Sequence, residues 1–324
     1  NDEVVIDAQD NGVGVTISKA EIKLLGFNIT NSFGWEDPFN SSGIRVLSDN
    51  NQIKNNRITE SYVGILLDTS DNNQVWENEI DVVDIGILVT KSNDNSISSN
   101  EIFDSDVADI QITSLGHDTG SQNNNIHHNL GIELIEFVDS DDNILNDQDV
   151  GTYDLENSKR ISVYQSSYDY VICDSDSSLY LKNWMNVNVS RDGSPLSDVD
   201  IKIWDGNNVI YSTEYFGGTN SKTNSQGKTP QDIVVTYRLF NGSSTATDNV
   251  TTTRASQLDI TANDISGNQV TIRYEAGSNL TFVTETNCNT LFIGPQMYWT
   301  TLRFTPGASS ITAKSIPVRK YSNI

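Results

Sequence analysis

At 324 residues the chain is long enough for two ordinary domains, and it carries 20 Lys and Arg against 44 Asp and Glu, a net charge of −24. That balance argues against nucleic acid as a partner, because a polyanion needs a basic footprint. No apolar run is long enough to span a bilayer, so membrane insertion is not expected.

The charge is uneven. Residues 1–150 hold 6 basic and 28 acidic side chains, and residues 151–324 hold 14 and 16. After Glu285 come Arg303, Lys314, Arg319 and Lys320 with no further acid. An acidic front and a basic tail suit head-to-tail association of identical chains. The competing reading is a solvated acidic face and an unremarkable tail.

The first half repeats. "GIRVLSDNNQIKNNRITES" from Gly43, "GILLDTSDNNQVWENEIDVV" from Gly64, "GILVTKSNDNSISSNEIFDSD" from Gly86, "DIQITSLGHDTGSQNNNIHHN" from Asp109 and "GIELIEFVDSDDNILND" from Gly131 start 21, 22, 23 and 22 residues apart. A looser copy, "GVTISKAEIKLLGFNITNS", begins at Gly14.

Each copy follows one grammar. A Gly-Ile-x-Leu/Val segment alternates apolar and polar residues, the period of a strand. A polar turn then closes on Asn51, Asn73, Asn95, Asn125 or Asn143. A short strand follows around Ile53, Val75, Ile97, Ile126 or Ile144. A second corner falls at Asn56, Asn78 and Asn100, with Asn129 the looser fourth case, and Ile58, Ile80 and Ile102 begin a third strand.

Three short strands cannot bury a face alone, so the copies are expected to stack as a parallel β-helix of about 6 coils. Inward Ile, Val and Leu would form apolar columns. Asn suits the corners because it tolerates left-handed backbone and because its amide can bond to the Asn one coil above.

On these repeats, and on the run "VVIDAQDNGVGVTISKAEIKLLGFNITNS", the sequence resembles the right-handed parallel β-helix repeats of carbohydrate-binding and sugar-hydrolase proteins. The resemblance covers about residues 3–150. It implies a right-handed β-helix and points toward the surface-layer or sheath proteins of methanogenic archaea, where such repeats abound. It is specific for fold and weak for activity. Members usually have coils upstream, whereas here the first coil lies near Val4, Val5 and Ile6, so a nearly uncapped, open strand edge is expected there.

From about residue 152 the register is lost. "RISVYQSSYDYVICD" and "SLYLKNWMNVNVSRDGSPLSDVDIKIWDGNNVIYSTEY" read as alternating strands split by "RDGSP" and "DGNN" turns. Residues 178–240 resemble the small Ig-like or transthyretin-like β-sandwich modules of surface proteins. The expected division is a β-helix over 1–152, connecting strands over 153–182, an antiparallel Ig-like β-sandwich over 183–306 and a tail over 307–324 that docks on a neighbour.

Two cysteines, Cys173 and Cys288, allow one disulfide, which would contribute about 4–5 kcal/mol in the chain-entropy model; two separate buried thiols are the alternative. Six sequons begin at Asn28, Asn40, Asn188, Asn241, Asn249 and Asn279 and lean toward an exported, glycosylated protein.

The chemistry-bearing residues are sparse. Asp141 and Asp142 are adjacent, and adjacent strand residues point to opposite faces, which does not make a glycosidase pair. "GHD" at 116–118 faintly resembles a polygalacturonase motif, but its basic companions are missing, and Arg45, Lys54, Arg57 and Lys91 do not cluster. No catalytic residue is assigned. His127 and His128 could touch a metal, but no Cys or His partner stands at ligand spacing, and the competing reading is an Asn-type corner of the coil. No cofactor follows from the sequence. Calcium is the cation that Asp139, Asp141, Asp142, Asp147 and Asp149 would suit, with Asp174 and Asp176 as a second set, against the alternative of solvated acids. Phe33, Trp35 and Phe39 sit in an inserted loop that would meet sugar rings, another subunit or the coil side.

The reading that follows is a non-enzymatic structural subunit of an extracellular cell-envelope assembly. Its partners would be copies of itself and cell-surface glycans. Val4, Val5, Ile6, Arg303, Lys314, Arg319 and Lys320 are the expected contact residues. The alternative is a secreted polysaccharide-binding protein, lyase or hydrolase.

Overall fold

The computed structural model describes residues 4–33, 37–114, 120–164, 166–191, 194–204, 208–230, 233–241, 252–255, 257–263, 267, 269–275 and 298–304. Among them only Glu214–Phe216 is helical, a single 3-10 turn. No helix among them is long and apolar enough to cross a membrane. The chain forms two compact units, residues 1–180 with 240–253, and residues 181–239 with 254–324.

The first unit is the stacked solenoid that the repeats demand. The third strand of one copy runs directly into the Gly-Ile strand of the next. The result is the long parallel strands Arg57–Asp68, Glu79–Thr90 and Glu101–Thr113. Their register stacks Ile58 on Ile80 on Ile102, and Ile65 on Ile87 on Ile110. A second sheet stacks the three-residue strands, with Ile53, Val75, Ile97, Ile126 and Leu145 in one column. All of these side chains are fully buried. Each contributes about 1.5–3 kcal/mol by leaving water.

Among the described residues there are eight turns rather than six. Eight strands stack in the first sheet, from Val4–Asp7 to Ser167–Cys173, and eight in the second, from Lys23–Leu25 to the start of Ser178–Arg191. The additional C-terminal turns pair Ile144–Asn146 with Ile161–Tyr164 and Asp149–Glu156 with Ser167–Cys173. They were hidden because Ile161 and Ser166 stand where the two asparagine-type corners would fall and the coil spacing shortens to 18 and 19 residues.

The Gly-Ile signature has a steric origin. A Cβ on Gly64 would lie 2.6 Å from Gly86 O, and one on Gly86 would lie 2.5 Å from Asp109 O. The next coil passes too close for any side chain. The fifth copy breaks this rule. Ile110 stacks on Ile135, not on Ile132, so its strand starts at Leu134 rather than at Gly131. Gly131 instead occupies a left-handed turn at φ 79°.

The inserted loop packs back on the solenoid. Val63, Leu66, Ile85 and Leu88 face outward yet are buried, with Phe39 and Tyr62 packed against them. Arg45 pins the arrangement. Its guanidinium lies 5.3 Å from the Phe39 ring centroid, donates to Phe39 O at 2.7 Å and pairs with Asp68 at 2.6 Å. Phe33 remains 38% exposed, and Trp35 lies outside the described residues.

The second unit contains an antiparallel four-stranded sheet in the order Val209–Ser212, Asp200–Trp204, Gln257–Asn263, Gln269–Glu275. Ile201, Ile203, Tyr211, Ile260 and Ala262 are buried in it. Not every pair in this unit is antiparallel: Tyr298–Phe304 runs parallel to Met185–Arg191.

Candidate functional site

The corners carry the most distinctive polar chemistry. Asn51, Asn73, Asn95, Asn124 and Asn143 stack in one ladder, all at most 1% exposed. Each side-chain oxygen accepts the backbone N–H of the residue one coil before, at 2.8, 2.7, 3.0 and 2.9 Å along the series. Side-chain amides add Asn51 to Asn73, Asn95 to Asn124 and Asn124 to Asn143. The Asn73 amide nitrogen is the exception, buried without a partner.

A second ladder runs through Asn56, Asn78, Asn100 and Asn129 to Gln148, with side-chain contacts of 3.0, 2.9, 2.9 and 3.0 Å. Backbone carbonyls take further amide hydrogens, such as Ile53 O from Asn78. A third ladder, of serines, was not anticipated. Ser70 N donates to Ser92 Oγ, Ser92 N to Ser121 Oγ, Ser140 N to Ser158 Oγ and Ser158 N to Ser177 Oγ.

Two expected positions need correction. Asn125 is not a corner: it lies in the strand Asn125–His127, half-buried, and Asn124 is the rung. Ile144 is 36% exposed, and Leu145 is the inward residue. A constant spacing shows both. Every corner of the first ladder stands two residues before its buried column residue, from Asn51 and Ile53 to Asn143 and Leu145. The same spacing before Val150 finds Gln148.

The acids of the last coils are engaged separately. Arg160 reaches Asp142 with two bonds of 2.6 and 2.7 Å and Asp141 with one of 3.0 Å. The hydrogen bond from Arg160 holds the Asp142 carboxyl below its usual range, and the pair raises the guanidinium in turn. Asp139 accepts from Asn157 at 2.6 Å and from Ser114 at 3.2 Å. Asp147 lies 3.1 Å from His128 Nε2. Asp174 accepts from the backbone of Asn157 and Asp176. Among the described residues no group of three or more His, Cys, Asp and Glu is arranged to hold a metal ion.

Asp149 instead lines a shallow groove of about 400 Å³ with Leu130, Glu133, Gly151 and Asp169. Beside it Asp109 is 5% exposed and accepts the Glu133 and Leu134 N–H groups at 2.6 and 2.9 Å. Burial pushes the Asp109 carboxyl up despite those bonds. Asp154 is raised by burial and then by its neighbours Glu136 and Glu156. This flank therefore crowds carboxylates in partly dry surroundings.

His127 and His128 sit at a strand end and its left-handed corner, their Nδ1 atoms 3.0 Å apart. His117 lies outside the described residues. Asn40 is exposed, Asn28 and Asn188 are half-buried, and Asn241 ends the strand Ile233–Asn241; Asn249 and Asn279 lie outside the described residues. Val4 and Val5 are each 55% exposed on a strand paired with Phe27–Thr30, and Ile6 is half-buried. Arg303 lies in the strand Tyr298–Phe304, whereas Lys314, Arg319 and Lys320 are outside the described residues. Cys173 is a buried free thiol, and Cys288 is outside the described residues.

With parallel stacking, columns and corner ladders in place, the comparison with known families is decisive. A family described as a right-handed beta helix region matches residues 6–168, just over half of the chain. The chain belongs to the right-handed β-helix family. No curated protein matches it. Within this β-helix the matched region covers both asparagine ladders, the histidine pair and the acidic groove apart from Asp169.

Proposed function

We propose that the protein is a structural subunit of an extracellular cell-envelope assembly, a surface layer, sheath or filament, built by self-association. The observation that carries this reading is the run of buried ladders, Asn51 to Asn143 and Asn56 to Gln148, which ties coil to coil at both corners. A solenoid bonded in this way resists local opening and suits a load-bearing role. The six sequons and the resemblance to methanogen surface proteins support a place outside the cell.

The charge split supports identical copies as partners. The basic C-terminal region of one subunit, with Arg303, Lys314, Arg319 and Lys320, would pack on the acidic solenoid of another. Electron microscopy and light scattering of the full chain test this. Multimers are expected at low salt and should shrink as the Debye length falls from about 30 Å at 0.01 M to about 3 Å at 1 M. Deleting residues 307–324, or reversing Lys314, Arg319 and Lys320 to Glu, should abolish them. A full chain that stays monomeric at every concentration and salt overturns the proposal.

The groove carries a second reading, a secreted polysaccharide-binding protein, lyase or hydrolase. Glu133, Asp149 and Asp169 line it beside the exposed Leu130. Incubation with acidic and neutral polysaccharides separates the two: saturable binding or cleavage by a monomer favours the second.

A further inference from the structure

The histidine pair is not demanded by the coil. In the column of His127 the neighbouring coils carry Lys54, Trp76, Ser98 and Asn146. In the left-handed column of His128 they carry Asn55, Glu77, Ser99 and Asp147. Histidine is enriched with Asn and Asp in left-handed backbone, which accounts for His128. Nothing in the stack accounts for a second imidazole beside it.

The geometry of the pair is specific. The rings meet edge-on at 85°, and the two Nδ1 atoms are 3.0 Å apart. His128 Nε2 is 3.1 Å from Asp147 Oδ2. With Asp147 accepting the Nε2–H, His128 Nδ1 presents a lone pair, and in the metal-free chain His127 donates its Nδ1–H to it. Two nitrogens each about 2.0–2.1 Å from one metal ion, at a right-angle bite, stand about 3.0 Å apart. That matches the observed separation. A carboxylate on the far nitrogen of a ligating histidine is the usual orienting partner, because it selects the tautomer and raises ligand basicity.

We propose that His127 and His128 chelate a divalent transition-metal ion through their Nδ1 atoms, with Asp147 as the positioning carboxylate. On binding, His127 gives up its Nδ1 proton and takes one at Nε2, so the neutral pair exchanges tautomers without net proton release. The site supplies two protein ligands, and solvent fills the rest: the His128 and Asp147 side chains are 58% and 55% exposed. Imidazole donors suit copper, nickel and zinc, and copper(II) binds tightest of the divalent series.

The test is a copper(II) titration of the chelator-treated full chain at neutral pH, followed by calorimetry, with pulsed electron paramagnetic resonance to count imidazole ligands. One saturable ion per chain with two imidazole nitrogens is expected. His127→Ala and His128→Ala should each abolish this signature. Asp147→Asn should weaken binding about 10–100-fold. His117→Ala should leave it unchanged. Each variant is compared by far-ultraviolet circular dichroism, so that loss of fold is not mistaken for loss of ligands. Absence of a saturable site, retention in folded His127→Ala, or loss on His117→Ala overturns the proposal.

Discussion

Asn78 donates its side-chain amide to Asn100 Oδ1 at 2.9 Å, across 22 residues of sequence and one coil of the solenoid. Asn78 also accepts the Asn56 backbone and side-chain N–H groups and donates to Ile53 O. Asn78→Ala would leave several buried groups unpaired, at about 1–3 kcal/mol each. A loss above about 2 kcal/mol in urea denaturation is expected. Asn125→Ala, which removes only the acceptor for Asn146, should cost about 1 kcal/mol or less. Equal losses would contradict the placing of the corner at Asn124.

Arg45 and Asp68 join the inserted loop to the stack through a partly buried pair, 23% and 9% exposed in their side chains. Arg45→Ala would strand the Asp68 carboxylate and free Phe39 O. A loss of about 2–3 kcal/mol is expected. Arg45→Lys should recover only part of it, because an ammonium lacks the guanidinium fork that serves both partners. Paired denaturation curves of the two variants check this, and full recovery by lysine would contradict it.

The Asp109 carboxyl is raised chiefly by burial. A raised acid holds its proton more tightly in the folded state, so its linkage contribution is most favourable at low pH. That contribution falls as pH rises past the unfolded value of about 3.9 and levels off above the folded one. Asp109→Asn keeps an acceptor for the Glu133 and Leu134 N–H groups without the charge. The variant should lose that part of the pH dependence and be the more stable form at neutral pH. Thermal melts from acid to neutral pH measure it, and an unchanged slope would contradict the assignment.

Cys173 is 1% exposed, and burial, then Asp174 and Asp154, push its thiol up to about 12. Thiolate, the reactive form, is therefore scarce at neutral pH. A maleimide should leave Cys173 unlabelled in the folded chain and label it after denaturation, as read by peptide mass spectrometry. A chain whose Cys173 stays unlabelled after denaturation without reductant would instead contain the disulfide to Cys288.

The repeat period was readable from residues alone because stacking imposes one physical demand on every coil. Ile53, Val75 and Ile97 must each fill the same column, and Gly64 and Gly86 must each admit the next coil. Where a coil met that demand with other residues, the pattern disappeared. Ile161 follows Asn143 in the first ladder's column and the Ser166 hydroxyl accepts the Gln148 N–H in the second, so the last coils read as ordinary strands. Gln148, one methylene longer than asparagine, still completes the second ladder.

The groove was not legible in the sequence for a different reason. Asp109, Glu133, Asp149 and Asp169 are spread over 60 residues, counting from 109 to 169, and meet only because successive coils stack. The residues themselves dictated a parallel solenoid, since short strands of this pattern cannot bury their apolar side chains singly. Which coil register was adopted and which acids were paired by Arg160 were settled by tertiary packing. Those choices depend on distances between coils, which no local pattern encodes.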